Sequence, residues 1–316
     1  MSTAAGVPVV DAHLHVWDLA RDGYPWLTPD LGPLHRTHVV GEVEADLDAL
    51  GIDAVVLVQA EDSEDETDHL LAVADASDRV AGVVGWLDLA SPGETADGLA
   101  RRLEAGRLAP CTDAVAREVS GGSERRSRGR LVGVRHLVHD DPRPDFLLLP
   151  PVLESLALLA DLGLPLDVPD AFPRHLEQVA AVAAQVPGLT VVVDHLAKPP
   201  RGEDRGTWLA QLAAAARHPG VVAKVSGLAD AVDPYDAAGL RPLWETALEL
   251  FGPDRLLWGS DWPMDTARRG YAESCAPLLA LADELAPAER AAVLGGTAAR
   301  VYSLPSGGIR SESGPS

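Results

Sequence analysis

Short apolar runs rich in Val, Leu and Ile recur along this chain, each followed by a stretch in which apolar residues return at helical spacing. The runs cover Pro8–His15, Ala54–Gln59, Val80–Asp88, Leu131–His136, Leu164–Val168, Thr190–Leu196, Val221–Gly227 and Leu256–Asp261. Such nearly unbroken apolar character is what a parallel strand covered on both faces requires. Between the runs, Gly41–Leu50 carries Val43, Leu47 and Leu50 at i, i+4 and i+7 and stops at Gly51. Glycine takes the left-handed conformation of a helix C-cap most easily. The same punctuation ends Pro151–Leu162 at Gly163, Pro173–Val186 at Pro187-Gly188, and Leu240–Leu250 at Gly252-Pro253. Strand–helix units repeated eight times predict a single-domain α/β fold, a (β/α)₈ barrel over residues 7–304. An open doubly wound sheet is the competing arrangement. It is disfavoured because no GxGxxG or GxxxxGK[ST] loop follows the first strand.

Two segments stand outside this rhythm. Residues 106–130 are polar, rich in Gly and Ser, and contain five arginines from Arg117 to Arg130. They read as a flexible insertion between the third helix and the fourth strand, either a solvated loop or a lid or oligomer contact. The tail, 305–316, lacks apolar periodicity and is expected to be disordered.

Charge and cysteine content narrow the partners. The net charge of −22 repels phosphate backbones, so nucleic acid and anionic membranes are not expected as partners. No apolar run approaches the ~20 residues of a membrane span, and the N-terminus lacks a basic signal region. Cys111 and Cys275 have no metal-type spacing and read as free thiols, so the expected location is cytoplasmic. The oligomeric state is left open, a homo-oligomer included.

The candidate chemistry lies at the ends of the predicted strands, which form the catalytic face of such a barrel. The first run ends Asp11-Ala12-His13-Leu14-His15, and residues two apart on a strand face the same side. The fourth ends Arg135-His136, the sixth Asp194-His195, and the eighth Gly259-Ser260-Asp261. Gln59 closes the second run, and Lys224 with Ser226 ends the seventh. Any one of these could be a structural hydrogen-bonding group. Their recurrence at one end of several strands favours a shared site, because each buried polar group otherwise needs its own partner.

The ordered set Asp-Ala-His-Leu-His-Val-Trp-Asp (11–18), Gly-Val-Arg-His (133–136), Asp-His-Leu-Ala-Lys-Pro (194–199) and Gly-Ser-Asp-Trp-Pro (259–263) carries a family resemblance. The chain resembles the sugar-lactonase branch of the amidohydrolase superfamily, which contains L-fuconolactonase, and is similar to 2-pyrone-4,6-dicarboxylate lactonase. The resemblance implies hydrolysis of a small lactone, with His13, His15, His195 and Asp261 at the catalytic positions. It places Arg135 and His136 where substrate oxygens are held, and Trp26 and Gln59 on the pocket wall. In the expected chemistry Asp261 takes a proton from water and returns it to the leaving alkoxide, His13, His15 and His195 orient the water and polarise the carbonyl, and Arg135 anchors the substrate.

His13, His15, His195 and Asp261 also form a zinc pattern. The fifth run, Leu164-Pro165-Leu166-Asp167-Val168, offers neither His nor Lys, and Arg135 brings positive charge to the same place. The expectation drawn is that no cofactor is required, with one divalent metal, zinc or manganese, as the alternative. Two other functions compete: a metal-dependent decarboxylase of a small unsaturated or aromatic acid, and a barrel that binds a small acid or sugar without turning it over. Unlike the relatives, the chain continues after Asp167 with Val168-Pro169-Asp170-Ala171-Phe172-Pro173, so this part of the pocket wall is expected to be rebuilt.

Overall fold

The computed structural model describes residues 7–21, 23–108, 129–264 and 269–304. The eight expected strands are present as β1 (Val10–Leu14), β2 (Ala54–Val58), β3 (Val80–Gly85), β4 (Leu131–Arg135), β5 (Leu166–Val168), β6 (Val191–Val193), β7 (Val221–Val225) and β8 (Leu256–Trp258). They pair in parallel in chain order. Beyond the end of β8 the seam closes through two backbone bonds: Asp261 N–H to the His13 carbonyl (2.8 Å) and His15 N–H to the Trp262 carbonyl (2.7 Å). The result is a (β/α)₈ barrel in one domain. The insertion is described only at its ends, and residues 109–128 and 305–316 lie outside the described residues.

A helix follows each strand: α1 (Glu44–Leu50), α2 (Glu64–Ala76), α3 (Pro92–Glu104), α4 (Pro150–Leu162), α5 (Leu176–Gln185), α6 (Arg205–Ala216), α7 (Ala237–Phe251) and α8 (Tyr271–Ala282). Gly51 and Gly163 end α1 and α4 in the left-handed conformation, at φ 68° and 66°. Helix α7 starts earlier than the apolar spacing suggested, because the Asp236 side chain accepts the Gly239 N–H and caps it. None of the described helices is long and apolar enough to cross a membrane.

Alternation along the strands separates two apolar layers. Val55, Leu57, Val134, Val191, Val193 and Trp258 face outward and pack with Leu70, Leu156, Val179 and Leu243 of the helices. Val10, Ala12, Val56, Val132, Val192, Val222 and Leu257 face inward. Two further short helices, α9 (Pro287–Ala291) and α10 (Thr297–Val301), lead to Tyr302, which enters the barrel from below. There its hydroxyl donates to Asp167 Oδ2 (2.7 Å).

One irregularity in β1 sets up the site. Between Asp11 and Leu14 this strand advances three residues while β2 advances two, from Val55 to Leu57. This bulge breaks the alternation that would otherwise give Asp11 and His13 the same direction. Asp11 meets α8, accepting from the Tyr271 hydroxyl (2.7 Å), while His13 enters the barrel. The other oxygen of Asp11 accepts the N–H groups of His13 (3.1 Å) and Ser260 (2.9 Å), so it holds both the bulge and the seam.

Candidate active site

Above the inward apolar layer lies a charged one, supplied by residues at or near the strand ends. Lys224 of β7 is fully buried, with its Nζ 2.6 Å from Asp167 Oδ2, 3.0 Å from Asp194 Oδ1 and 3.1 Å from His13 Nδ1. Arg135 donates from one terminal nitrogen to Asp194 Oδ2 (3.1 Å), and that nitrogen lies 3.1 Å from His13 Nε2. Burial pushes the Asp167 carboxyl up, to about 6, against the pull of Lys224. Burial also pushes Asp194 upward, but Lys224, His13 and Arg135 outweigh it and hold the carboxyl well below the usual range.

At the top of this layer His13, His15, His195 and Asp261 converge. Asp261 Oδ1 lies 3.5 Å from His13 Nε2, 3.5 Å from His15 Nε2 and 3.7 Å from His195 Nε2. The two Nε2 atoms of His13 and His15 are 3.0 Å apart. His15 Nδ1 must donate to the Val58 carbonyl (2.7 Å), which fixes the ring. His195 Nδ1 is held by Ser226 Oγ (2.9 Å). Burial, reinforced by Lys224, holds His13 well below the usual imidazole range, and burial lowers His195 too. Burial would raise Asp261, but the pull of His195, the contact with His15 and the nearness of His13 outweigh it and keep the carboxylate ionised.

The backbone around this cluster is strained. His195, Leu196, Ala197 and Lys198 all have positive φ, between 51° and 62°, and Asp261 has φ 56°. Each such residue costs on the order of 1 kcal/mol or more, a strain that concentrates at functional sites. At Gly227 (φ 58°) a Cβ would stand 2.5 Å from His195 Nδ1 and 2.7 Å from Asp261 Oδ2, so only glycine permits this approach.

A cavity of about 180 Å³ opens above the cluster, with His15, Arg135, His195 and Asp261 at its floor. Trp17, Trp26, Ala60, Leu137 and Met264 make its apolar side; His139, Asp140, Asp170 and Lys198 make its polar side. Trp26 Nε1 donates to the Ala60 carbonyl (2.9 Å), and the Ala60 N–H to Glu66 Oε1 (2.9 Å). Burial pushes the Glu66 carboxyl up to about 8 and that of neighbouring Asp62 to about 7.

Of the residues singled out from sequence, His13, His15, His195, Asp261, Arg135 and Trp26 come together here. His136 does not. As the neighbour of inward-facing Arg135 it points outward, stacks on Phe146 (centroids 4.1 Å apart) and bonds Trp86 Nε1 (3.1 Å). Gln59 is buried behind the wall, donating to the Arg135 carbonyl (3.2 Å) and to Asp62 (2.9 Å). Sequence reasoning missed Asp11, which the unbroken alternation would have turned inward, and the rim residues His139, Asp140, Asp170 and Lys198, which lie in loops.

This barrel with its strand-end cluster defines a class: the chain belongs to the amidohydrolase family, which matches residues 10–304. It is 34% identical over 310 residues to L-fucono-1,5-lactonase of Burkholderia ambifaria, covering 94% of this chain and 97% of that one. A crystal structure of an amidohydrolase from Burkholderia multivorans with bound HEPES is 31% identical and covers 94% of this chain and 100% of that one, with a TM-score of 0.78. An amidohydrolase from the same organism solved with bound zinc gives a TM-score of 0.75 at the same identity and coverage.

These observations correct the expectation that no cofactor is required. His13, His195 and Asp261 each bring a ligand atom within 4.8 Å of the other two, and the relative just described holds zinc. The donor set suits a divalent metal, since two imidazoles and a carboxylate are ligands of the kind zinc takes. The Nε2 atoms of His13, His15 and His195 gather with Asp261 Oδ1 at separations of 3.0 to 3.7 Å, a cluster of the nitrogen and oxygen donors that zinc takes. The objection from Arg135 fails because Asp194 offsets its charge, leaving three buried carboxylates (Asp167, Asp194, Asp261) facing two cations (Arg135, Lys224). His13 meets a cationic donor at each ring nitrogen, Lys224 Nζ at Nδ1 and Arg135 at Nε2, both at 3.1 Å, with Asp194 Oδ1 3.5 Å from Nδ1. Strand β5 need supply no ligand, because β1 and the segments after β6 and β8 supply three.

Proposed function

We propose that this chain opens a small sugar-acid lactone by hydrolysis, with Asp261 as the proton carrier. The observation that carries the reading is the meeting of one carboxylate with two imidazoles and a guanidinium at the floor of a half-apolar cavity, over a third imidazole, His13, buried beneath. The 34% identity to an L-fucono-1,5-lactonase supports the choice of a lactone.

A divalent metal held by His13, His195 and Asp261 supplies Lewis-acid polarisation and acidifies water. The chain's own residues do the rest. Asp261 takes a proton from the attacking water and returns it to the alkoxide that leaves as the ring opens. His15, fixed by the Val58 carbonyl, orients the water from a position 3.5 Å from Asp261. Arg135 anchors a substrate oxygen; its Nε is buried and has no partner within the described residues. Trp26 covers the ring, and Gln59 steadies the β4 end that carries Arg135. His136 supports the site through Trp86 and Phe146 rather than by contact with substrate.

The test is acid release from L-fucono-1,5-lactone, followed with a pH indicator, for the wild type and Asp261→Asn. Loss of about 10³-fold or more in kcat, with the circular dichroism unchanged, is expected. An Asn variant that keeps most of its turnover would refute the role of Asp261. Carbon dioxide release from aromatic acids, with no lactone opened, would replace hydrolysis by decarboxylation.

A further inference from the structure

The cavity has two unlike sides, and of the polar one Asp170 lies in the stretch after β5 expected from sequence to be rebuilt, while Lys198 lies in the segment 194–199 that carries the family resemblance. Asp170 stands three residues after Asp167, and Lys198 three after His195, so both belong to short connections anchored in the charged layer and the cluster. Both adopt left-handed backbone, at φ 45° and 56°. This strained geometry is retained although neither residue is buried in the core; their side chains are about one-third exposed at the cavity rim. Lys198 Nζ and Asp170 Oδ1 are 3.8 Å apart. That separation exceeds a direct charge-assisted hydrogen bond, about 2.7–2.9 Å, yet both groups remain close enough to serve adjacent hydroxyls of one small ring.

We propose that Asp170 and Lys198 are specificity-determining residues that read neighbouring hydroxyls of a neutral, polyhydroxylated lactone ring. The inference rests on the lactonase reading and supplies its substrate class. Asp170 accepts from one hydroxyl and Lys198 donates to the next. The apolar C–H face of the same ring lies against Trp17, Trp26 and Met264 on the opposite side. The lining carries three carboxylates, Asp140, Asp170 and Asp261, against two cations, Lys198 and Arg135, and Arg135 is already paired with Asp194, a balance that favours a neutral ring over one carrying carboxylates. An unsubstituted ring is disfavoured because it offers no hydroxyl to either group.

The experiment compares kcat/KM of the zinc-loaded enzyme for L-fucono-1,5-lactone and for δ-valerolactone, which has the same ring without hydroxyls. The variants are Asp170→Asn, which suits left-handed backbone, and Lys198→Met. The wild type is expected to prefer the hydroxylated ring by roughly 100-fold or more. Each variant is expected to reduce that preference by about 10- to 100-fold, as loss of a charged hydrogen bond does. A preference unchanged within about threefold in both variants overturns the proposal, as does wild-type preference for 2-pyrone-4,6-dicarboxylate. If the wild type opens no lactone, the function reading fails. The pair is then judged by titrating L-fucose against tryptophan fluorescence: binding weakened about tenfold in the variants upholds it, and equal or absent binding overturns it.

Discussion

Removing Lys224 tests the buried charge layer most directly. Its ammonium is fully buried and touches Asp167, Asp194 and His13 at 2.6, 3.0 and 3.1 Å. In Lys224→Met, Asp194 keeps Arg135, whereas Asp167 keeps only the neutral hydroxyl of Tyr302 among the contacts described. One carboxylate is therefore stranded rather than two. Breaking a buried pair typically costs about 3–5 kcal/mol, and a single stranded group belongs at the lower end, about 3 kcal/mol. With an unfolding entropy of roughly 2 cal/mol/K per residue, that lowers Tm by about 5 °C in a chain of this length. The sign of the pH dependence follows from Asp167, whose folded pKa of about 6 already lies above its ordinary 3.8. A raised carboxyl pKa means stability is lost as pH rises from the unfolded towards the folded value. Without the ammonium that folded value climbs further, so the deficit should be smaller at pH 5 than at pH 8. Calorimetry at both pH values, at one scan rate, measures it. Adding Asp167→Asn to Lys224→Met should recover at least half of the loss. A single variant that loses less than about 1 kcal/mol at pH 8, or a double variant worse than the single, would refute this account of the layer.

Other parts of the site make separate predictions. Gly227→Ala drives a methyl between His195 and Asp261, so both zinc content and kcat should fall, the latter about 100-fold; full zinc by mass spectrometry with normal turnover contradicts this. Exhaustive chelation should lower lactone turnover at least ~10-fold, with zinc restoring it, given a metal's contribution to water activation. Undiminished activity in metal-free protein would count against the ligand assignment. Glu66, raised from 4.5 to about 8, should cost stability as pH climbs through that interval. Glu66→Gln should therefore narrow the Tm gap between pH 6 and pH 9, and an unchanged gap shows that Glu66 is not the titrating group.

The barrel was legible because parallel strands buried on both faces leave continuous Val and Leu runs that few other arrangements need. The cluster was legible for the same reason: His13, His195 and Asp261 close such runs, where the chain turns to the mouth. Four features were missed, one of them within reach of the sequence. The bulge in β1 leaves no mark in the residues 11–15, so the outward turn of Asp11 appears only once the register with β2 is known. His136 could have been read correctly, because adjacent strand residues face opposite ways and Arg135 already claims the inside. The metal was misjudged because charge was counted locally: Arg135 looked uncompensated until the fold brought Asp194 to it from β6. The rim pair of Asp170 and Lys198 was out of reach, since loops bring them together across distant parts of the chain.

The closure of the barrel also says something about how this protein is made. Of the eight barrel strands the earliest made, β1, is sealed by backbone bonds to Asp261 and Trp262, and Tyr302 then fills the space beneath Asp167 and Lys224. Until those late residues emerge, β1 has a raw edge and the charged layer stands open to water. The ligands have the same timing, since His13 is synthesised long before Asp261. During translation the barrel therefore waits for the segment after its eighth strand, and chaperone demand should peak just before residue 262 clears the exit tunnel.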